Sequence, residues 1–235
     1  MISQSLSGSE YFLVVCQDES AIIDASVGSI NGLRMMADQM REYGITELDT
    51  LVLTHYHSRH ISVVAQITAS EKVRRVLLPY PENESDAWIM LQISDALAAS
   101  GISCEIIPDE SFTLLGDTSF FVSRLQRLER SNHPVILFSL SEREEKLTYI
   151  SASSWETNDS ELTEVLNNSD VLLFGAHGPV VKTPFELLDN CRNIKALAIF
   201  NESHVEYISG LDDKGYENVT IFTGDGLYKT VFSKD

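Results

Sequence analysis

The 235-residue sequence predicts an α/β protein with two sheets packed face to face and helices outside. Two observations predict this fold class: strand and helix patterns alternate along the first half, and strand patterns dominate the second half before further helices. A strand, helix, strand rhythm is typical of parallel sheets, because parallel strands need a long crossover connection. The length suits one large domain, so we expect a single domain over residues 1–235.

The first half begins with a predicted hairpin, residues 11–16 and 21–24, joined by the turn-like sequence QDES. A helical pattern follows and stops at Gly44, a residue type that favours the left-handed conformation at a helix end. Apolar residues recur at helical spacing in this helix and are expected in the core: Ile30, Leu33, Met36, Met40 and Tyr43.

Short apolar segments predict the remaining strands, at residues 51–53, 76–78, 102–107, 112–115, 119–125, 135–140, 147–150, 171–175 and 194–200. Helical patterns predict the remaining helices, at about 61–70, in the segment that ends at Gly101, at 160–167 and at 184–191. The closing sequence NVTIFTGDGLYKTVF predicts a final hairpin with a glycine-rich turn.

The charge balance argues against a tight nucleic-acid ligand. The chain has 35 acidic and 17 basic residues and a formal net charge of −18, a field that repels polyanions. The cysteines, Cys16, Cys104 and Cys191, lack the spacing of a disulfide framework or a zinc knuckle. No apolar run approaches the length of a membrane span. We therefore expect a soluble protein, without a predicted nucleic-acid surface.

Three histidines stand close together in the sequence LVLTHYHSRHISVV. His55 and His57 lie just beyond a predicted strand, and His60 lies at the start of the following helix. Imidazoles this close can converge on one cation, because a loop frees side chains from strict strand alternation, and neutral imidazole is a standard zinc ligand. The cluster is the candidate metal site.

This segment resembles the HxHxDH signature of the metallo-β-lactamase fold, and its surroundings resemble the soluble domain of ComEC-type competence proteins, which import transforming DNA. SAIIDAS is similar to that family's early strand ending in Asp, here Asp24, and REYGITELDTLVLTH to its lead into the histidines. VRRVLLPYP, DVLLFGAHGP and the closing segment from Gly210 are similar to later family segments. The resemblance covers about residues 5–233, in the family's order.

The resemblance implies a four-layer αββα sandwich with a metal site at one edge between the two sheets. In two-metal members, the first histidine pair holds one ion, the Asp-His pair holds the other, and a later Asp bridges them. The bridging hydroxide is the nucleophile, because two cations lower the pKa of water and stabilise charge on the attacking and leaving oxygens.

The sequence departs from that ligand set at three positions. Arg59 replaces the Asp of HxHxDH, so a permanent cation without an acceptor atom stands where an anionic ligand is needed. Ala152, or Ser151 if the register shifts by one, stands at the bridging carboxylate. Ala176 replaces the first residue of a double histidine and leaves His177. These losses predict that a full dinuclear site is missing.

Two arrangements of the altered site stay open. Arg59 either fills the place of the second metal, paired with Asp24 or another acid, or points to solvent. His55 and His57 can form a mononuclear site with His133, which precedes a strand where other branches of the fold supply a histidine. His60 and His177 are further candidate ligands, or remnants of the lost site.

Three functions follow as hypotheses. The first is a degenerate domain with weak or no hydrolytic activity, in a structural or binding role. The second is a metal-dependent hydrolase, a phosphodiesterase or nuclease, with a mononuclear site. The third is the soluble part of a membrane DNA-uptake protein, with the membrane channel as its partner. We expect one zinc or manganese ion or none, a cytoplasmic location for a free-standing chain, and membrane association for a domain of a channel protein.

Overall fold

The computed structural model describes residues 2–4, 9–16, 18–27, 30–70, 72–107, 115, 119–125, 135–142, 145–150, 167–169, 171–174, 196–199, 220–223 and 228–230. The chain divides into two compact units. Unit 1 comprises Met1–Pro108, Leu114–Asp117 and Asp225–Asp235. Unit 2 comprises Asp109–Thr113 and Thr118–Gly224.

The described strands and helices are named here in chain order. The strands are β1 (Ile2–Gln4), β2 (Ser9–Cys16), β3 (Glu19–Val27), β4 (Leu48–Val52), β5 (Val73–Leu78), β6 (Ser103–Ile106), β7 (Ser119–Leu125), β8 (Val135–Glu142), β9 (Glu145–Ile150), β10 (Val171–Phe174), β11 (Ala196–Ile199), β12 (Thr220–Thr223) and β13 (Tyr228–Thr230). The helices are α1 (Ile30–Glu42), α2 (Ser58–Ser70) and α3 (Glu84–Ala99).

Unit 1 contains a seven-stranded sheet in the order β13-β1-β2-β3-β4-β5-β6. β1 pairs antiparallel with β13 and β2, and β2 pairs antiparallel with β3. From β3 to β6 all pairs are parallel, in a register that places Ile23 beside Val52 and Val52 beside Leu77. The predicted alternation of strands and helices in the first half is confirmed, because α1, α2 and α3 connect these four parallel strands.

The core of unit 1 lies between these strands and the three helices. β4 is buried at four of its five residues, as expected for a central strand of a parallel sheet. Met36 and Met40 of α1 are buried as predicted, and Leu97 of α3 and Ile67 of α2 join the same cluster. The predicted core position of Ile30 is wrong: this first residue of α1 is 70 % exposed.

Two glycines end helices as the sequence predicts. Gly44 follows α1 with φ 71°, and Gly101 follows α3 with φ 72°, both in the left-handed region. The amide of the next residue then turns back to the helix, Ile45 to the Met40 carbonyl at 2.8 Å and Ile102 to the Leu97 carbonyl at 2.9 Å. These bonds satisfy carbonyls that the last helical turn would otherwise leave exposed.

Unit 2 contains a six-stranded sheet in the order β12-β11-β10-β9-β8-β7. The strands β7, β8 and β9 are antiparallel neighbours, whereas β9 to β12 are parallel. The hydroxyls of Thr148 and Ser169 form a buried hydrogen bond of 2.6 Å beside β9. The strand patterns predicted for 119–125, 135–140, 147–150, 171–175 and 194–200 are confirmed within a few residues.

The predicted closing hairpin is wrong. β12 pairs parallel with β11 in the sheet of unit 2, whereas β13 pairs antiparallel with β1 in the sheet of unit 1. A local pattern of two strands and a glycine turn cannot specify partners that lie far away in sequence, and here long-range pairing determines the partners. The helices predicted at 184–191 and over most of 160–167 lie outside the described residues, as does most of the strand predicted at 112–115.

Among the residues that the structure describes, no helix combines the length and apolar character that crossing a membrane requires.

Candidate metal site

The histidine cluster lies where the chain passes from β4 to α2. The Leu53 amide makes a last bond across to β5, donating to the Leu77 carbonyl at 2.9 Å. The chain then leaves the sheet, and the His57 carbonyl accepts from the amides of His60 and Ile61 at 3.0 Å each, in the first turn of α2. The carboxyl end of a parallel strand and the start of a helix together form a common location for sites in α/β proteins.

The three imidazoles converge as the sequence predicts. One ligand nitrogen from each of His55, His57 and His60 lies within 4.8 Å of the others. The ring centroids of His55 and His57 are 4.5 Å apart, and those of His55 and His60 are 4.2 Å apart. His55 and His60 are buried and His57 is half-buried. The cluster therefore has one edge open to solvent, at His57.

A buried carboxylate stands behind two of the three rings. Oδ1 of Asp24 lies 3.2 Å from Nδ1 of His60 and 3.6 Å from Nδ1 of His55, and Asp24 is fully buried. A carboxylate only accepts hydrogen bonds, so it favours the proton on the nitrogen that faces it. In the neutral imidazole of His60 the lone pair is then left on Nε2.

The backbone at Asp24 explains how the carboxylate reaches the histidines. Asp24 has φ 53°, in the left-handed region that side chains other than glycine seldom occupy. The pairing of β2 with β3 shifts here, so that Asp24 and Ala25 together oppose Tyr11. This arrangement is a β-bulge, a feature that redirects one side chain and is common beside functional sites.

Thr54 fixes the protonation of His55. Its hydroxyl donates to Oδ1 of Asp24, so its single hydrogen is already used. The 2.8 Å bond between Thr54 Oγ1 and His55 Nδ1 must then be donated by the imidazole. His55 therefore carries its proton on Nδ1 when neutral, and its buried Nε2 holds the lone pair that a metal needs.

Tyr56 lies between two of the candidate ligands and is 8 % exposed. Its hydroxyl donates to the Pro79 carbonyl at 2.5 Å. Burial raises the pKa of the Tyr56 phenol well above its usual value, and the acidic groups of Asp86 and Cys104 raise it further. The phenol therefore stays neutral and remains a hydrogen-bond donor.

The donor set fits one zinc ion. Three neutral imidazoles with one open position form the ligand set of a mononuclear zinc site, whereas manganese prefers oxygen ligands. With zinc to nitrogen distances of about 2.0–2.1 Å, ligand nitrogens in a tetrahedral site lie about 3.3 Å apart. The upper limit of 4.8 Å among these three residues is within reach of that spacing by small side-chain rotations. The carboxylate of Asp24 would then support two ligands without binding the ion itself.

The other predicted site residues lie wholly or partly outside the residues that the structure describes. Arg59 is the second residue of α2, and its side chain lies outside the described part of the structure. His133, Ala152, Ala176 and His177 lie outside the described residues altogether. Their predicted roles, and the pairing of Arg59 with Asp24, stay predictions.

Sequence reasoning missed Thr54 and Tyr56. Thr54 carried a weak signal, because a hydroxyl residue directly before a metal-binding histidine at a strand end is well placed for a supporting bond. Tyr56 carried none, because its partner lies 23 residues further along the chain.

Comparisons with known proteins support the fold. No model of a protein family matches the sequence, and no curated protein matches it. The structure resembles zinc-bound PqqB from Methylobacterium extorquens, with a TM-score of 0.63, 10 % identity, and coverage of 98 % of this chain and 100 % of that one. It also resembles the short form of human tRNase Z, with a TM-score of 0.54, 15 % identity, and coverage of 97 % and 99 %.

A metallo-β-lactamase from Cronobacter sakazakii matches with a TM-score of 0.50 and 11 % identity, covering 74 % of this chain and 76 % of that one. At identities this low, the structural similarity establishes the fold and leaves the activity open. The chain has the metallo-β-lactamase fold, and the α/β fold class predicted from the sequence is confirmed.

Proposed function

We propose that this chain is a degenerate metallo-β-lactamase-fold hydrolase that holds one zinc ion on His55, His57 and His60 and hydrolyses phosphodiester bonds weakly. The convergence of three imidazole nitrogens within 4.8 Å, with Asp24 behind two of them, carries the proposal. The zinc-bound state of PqqB supports the choice of metal, because that protein has the same fold.

The ligand losses in the sequence support one ion over two. A second divalent ion beside Arg59 would meet a permanent positive charge, and Ala152 supplies no bridging oxygen. Without those anionic donors, the desolvation of a second ion would not be offset. The proposed ligand set differs from the trio of His55, His57 and His133, because the described geometry brings His60 to the cluster.

A bound zinc ion would supply an activated water and polarise a phosphoryl oxygen of the substrate. The residues of the chain prepare the ligands. Thr54 accepts a hydrogen bond from Nδ1 of His55, and the negative charge of Asp24, 3.2 Å from Nδ1 of His60, favours a proton on that nitrogen, so both Nε2 atoms stay available. Zinc contributes two positive charges and Asp24 one negative charge, so the centre would carry a net positive charge. Such a centre favours an anionic substrate oxygen, as in a phosphodiester.

The overall charge favours a small substrate. A net charge of −18 repels a long polyanion more strongly than a dinucleotide or a simple diester. The substrate class that fits is therefore a short phosphodiester.

The test is hydrolysis of bis(4-nitrophenyl) phosphate by protein that is stripped of metal and reloaded with zinc. We expect a zinc-dependent rate that is lost in His57→Ala and retained in His133→Ala. Loss of the rate in His133→Ala would restore His133 as the third ligand. A wild-type rate no higher than that of His57→Ala would overturn the hydrolase proposal.

That last outcome would favour the second candidate, a non-catalytic domain with a structural or binding role. The observation behind it is the loss of ligands at Arg59, Ala152 and Ala176 together. The sequence resemblance to competence proteins adds a context for either candidate: the chain would act as the soluble part of a membrane DNA-uptake channel. A coding region that continues into membrane-spanning segments would support this context, and an independent gene without such a neighbour would contradict it.

A further inference from the structure

The hydrogen bond from Tyr56 to Pro79 extends the row of hydrogen bonds that the carbonyls at the end of β5 accept from neighbouring segments. The Leu77 carbonyl accepts from the Leu53 amide at 2.9 Å, and the Leu78 carbonyl accepts from the Ile107 amide at 2.8 Å. The next carbonyl of this segment, that of Pro79, accepts from the Tyr56 hydroxyl at 2.5 Å. Pro79 is buried, so its carbonyl needs a partner. The tyrosine side chain thus replaces a backbone donor at the point where the chain after β4 has left the sheet.

Side-chain hydrogen bonds help to hold the segment that carries two of the candidate ligands. Backbone hydrogen bonds anchor it at its ends, at the Leu53 amide and the His57 carbonyl. Between these ends, Thr54 reaches Asp24 and Tyr56 reaches Pro79 through their hydroxyls. Thr54 acts on His55 directly, whereas Tyr56 bonds to neither ring in its described hydrogen bond.

We propose that Tyr56 is a positioning residue of the metal site: its bond to the Pro79 carbonyl fixes the backbone between His55 and His57 and so sets the separation of their ring nitrogens. The inference rests on the proposed function, because it assigns Tyr56 a part in zinc binding. Its ring packs in the hydrophobic core of unit 1 and its hydroxyl bonds to Pro79, the residue directly after β5. The histidine segment is therefore tied to the chain where it leaves β5.

The chain offers a matched control. Tyr11 is buried as well, and its hydroxyl donates to Oε1 of Gln39 at 2.6 Å. Tyr11 lies on β2 opposite Asp24 and Ala25, but its hydroxyl bonds to Gln39 of α1 and not to the histidine segment, and Tyr11→Phe keeps the ring that packs there. Tyr11→Phe and Tyr56→Phe each remove one buried hydroxyl and keep the ring, so the two variants should lose similar amounts of folding stability. Only Tyr56→Phe should disturb the spacing of the ligands.

The experiment is a competition titration of each variant with zinc against a chromophoric chelator. We expect Tyr56→Phe to bind zinc about 10-fold more weakly than wild type, the lower end of the range for partners that orient ligands. Tyr11→Phe should bind like wild type. Tyr56→Met, which also lacks the hydroxyl and replaces the ring with a flexible apolar chain, should weaken zinc binding at least as much as Tyr56→Phe. Equal affinities for wild type and both Tyr56 variants would overturn the inference.

A second measurement separates this inference from the proposed function. If the wild type binds no zinc, the proposed function fails, and the carbon-bound ring protons of the histidines are followed by NMR in metal-free protein. Positioning by Tyr56 predicts that Tyr56→Phe shifts the signals of His55 and His57, whereas Tyr11→Phe leaves them in place. Unchanged His55 and His57 signals in Tyr56→Phe would refute positioning without any metal.

Discussion

Oδ1 of Asp24 lies 3.2 Å from Nδ1 of His60, and neither side chain is exposed to solvent. A carboxylate in this position favours the imidazole tautomer with its proton on Nδ1, which leaves Nε2 for a metal. Asp24 reaches this position through a β-bulge and a left-handed backbone. The irregular backbone at Asp24 therefore places the carboxylate that sets the tautomer of His60.

The first prediction concerns this carboxylate. We expect Asp24→Asn to weaken zinc binding by about 10- to 100-fold, because an amide holds the Nδ1 protons less strongly than a carboxylate does. The measurement is zinc affinity by competition titration. Asp49→Asn is the control, because Asp49 also accepts hydrogen bonds, from the partly buried Ser20 amide at 2.8 Å and from the exposed Arg74 at 2.7 Å, away from the histidines. Equal losses of affinity in the two variants would contradict a specific role for Asp24.

The second prediction concerns the hydroxyl of Thr54. Thr54→Val leaves the buried Asp24 and His55 without their shared partner, so we expect the free energy of unfolding to fall by about 1–3 kcal/mol. Zinc binding should weaken as well, by about 10-fold, because the tautomer of His55 is no longer fixed. Thr50→Val is the control: Thr50 is fully buried on β4, and its hydroxyl accepts from Arg75 at 2.9 Å. Equal zinc affinities for Thr54→Val and Thr50→Val would contradict the role of Thr54 in fixing the tautomer of His55.

The third prediction is an alkaline pH dependence that originates at Tyr56. The phenol of an unfolded tyrosine titrates near pH 10, and burial raises the pKa of Tyr56 in the folded state. Between these two values the unfolded state binds fewer protons than the folded state, so stability falls as the pH rises. The stabilisation is fully present below about pH 10 and is lost progressively above it.

The measurement is the free energy of unfolding by denaturant, for metal-free wild type and Tyr56→Phe, at about pH 8 and about pH 11. The destabilisation caused by Tyr56→Phe should be larger at the lower pH, because the wild type alone loses this contribution as the pH rises. A difference between the two proteins that does not change with pH would show that the folded phenol titrates like the unfolded one.

The fourth prediction concerns the lost ligands. Arg59→Asp combined with Ala152→Asp should restore binding of a second metal ion and increase phosphodiesterase activity, because each change returns an anionic oxygen to the site. Arg34→Asp with Ala96→Asp makes the same change in net charge at two exposed positions and should do neither. If the Arg59 and Ala152 double variant gains neither metal nor activity, the explanation of what this site has lost is wrong.

The sequence could predict the parts of the structure that local patterns encode. The alternation around α1, α2 and α3 predicted the parallel strands β3 to β6, because apolar periodicity and helix-ending glycines are local signals. The position of the three histidines at the end of β4 followed from the same reasoning. Their convergence was predicted correctly because only a short connection separates the strand from α2.

Other features depend on contacts between distant segments. The bulge at Asp24 arises from the pairing of β3 with β2, and the bond from Tyr56 to Pro79 joins residues 23 positions apart. β12 and β13 read as one hairpin in sequence, yet each is paired within a different sheet. In each of these cases the partner is set by the tertiary fold, which propensity and spacing do not specify.

The central claim is that this site holds one zinc ion. Metal-free protein is incubated with excess zinc and desalted, and the bound metal is measured by elemental analysis alongside the variant His57→Ala. The account predicts one zinc ion per wild-type chain and substantially less in His57→Ala. Two zinc ions per chain, or none, would contradict it.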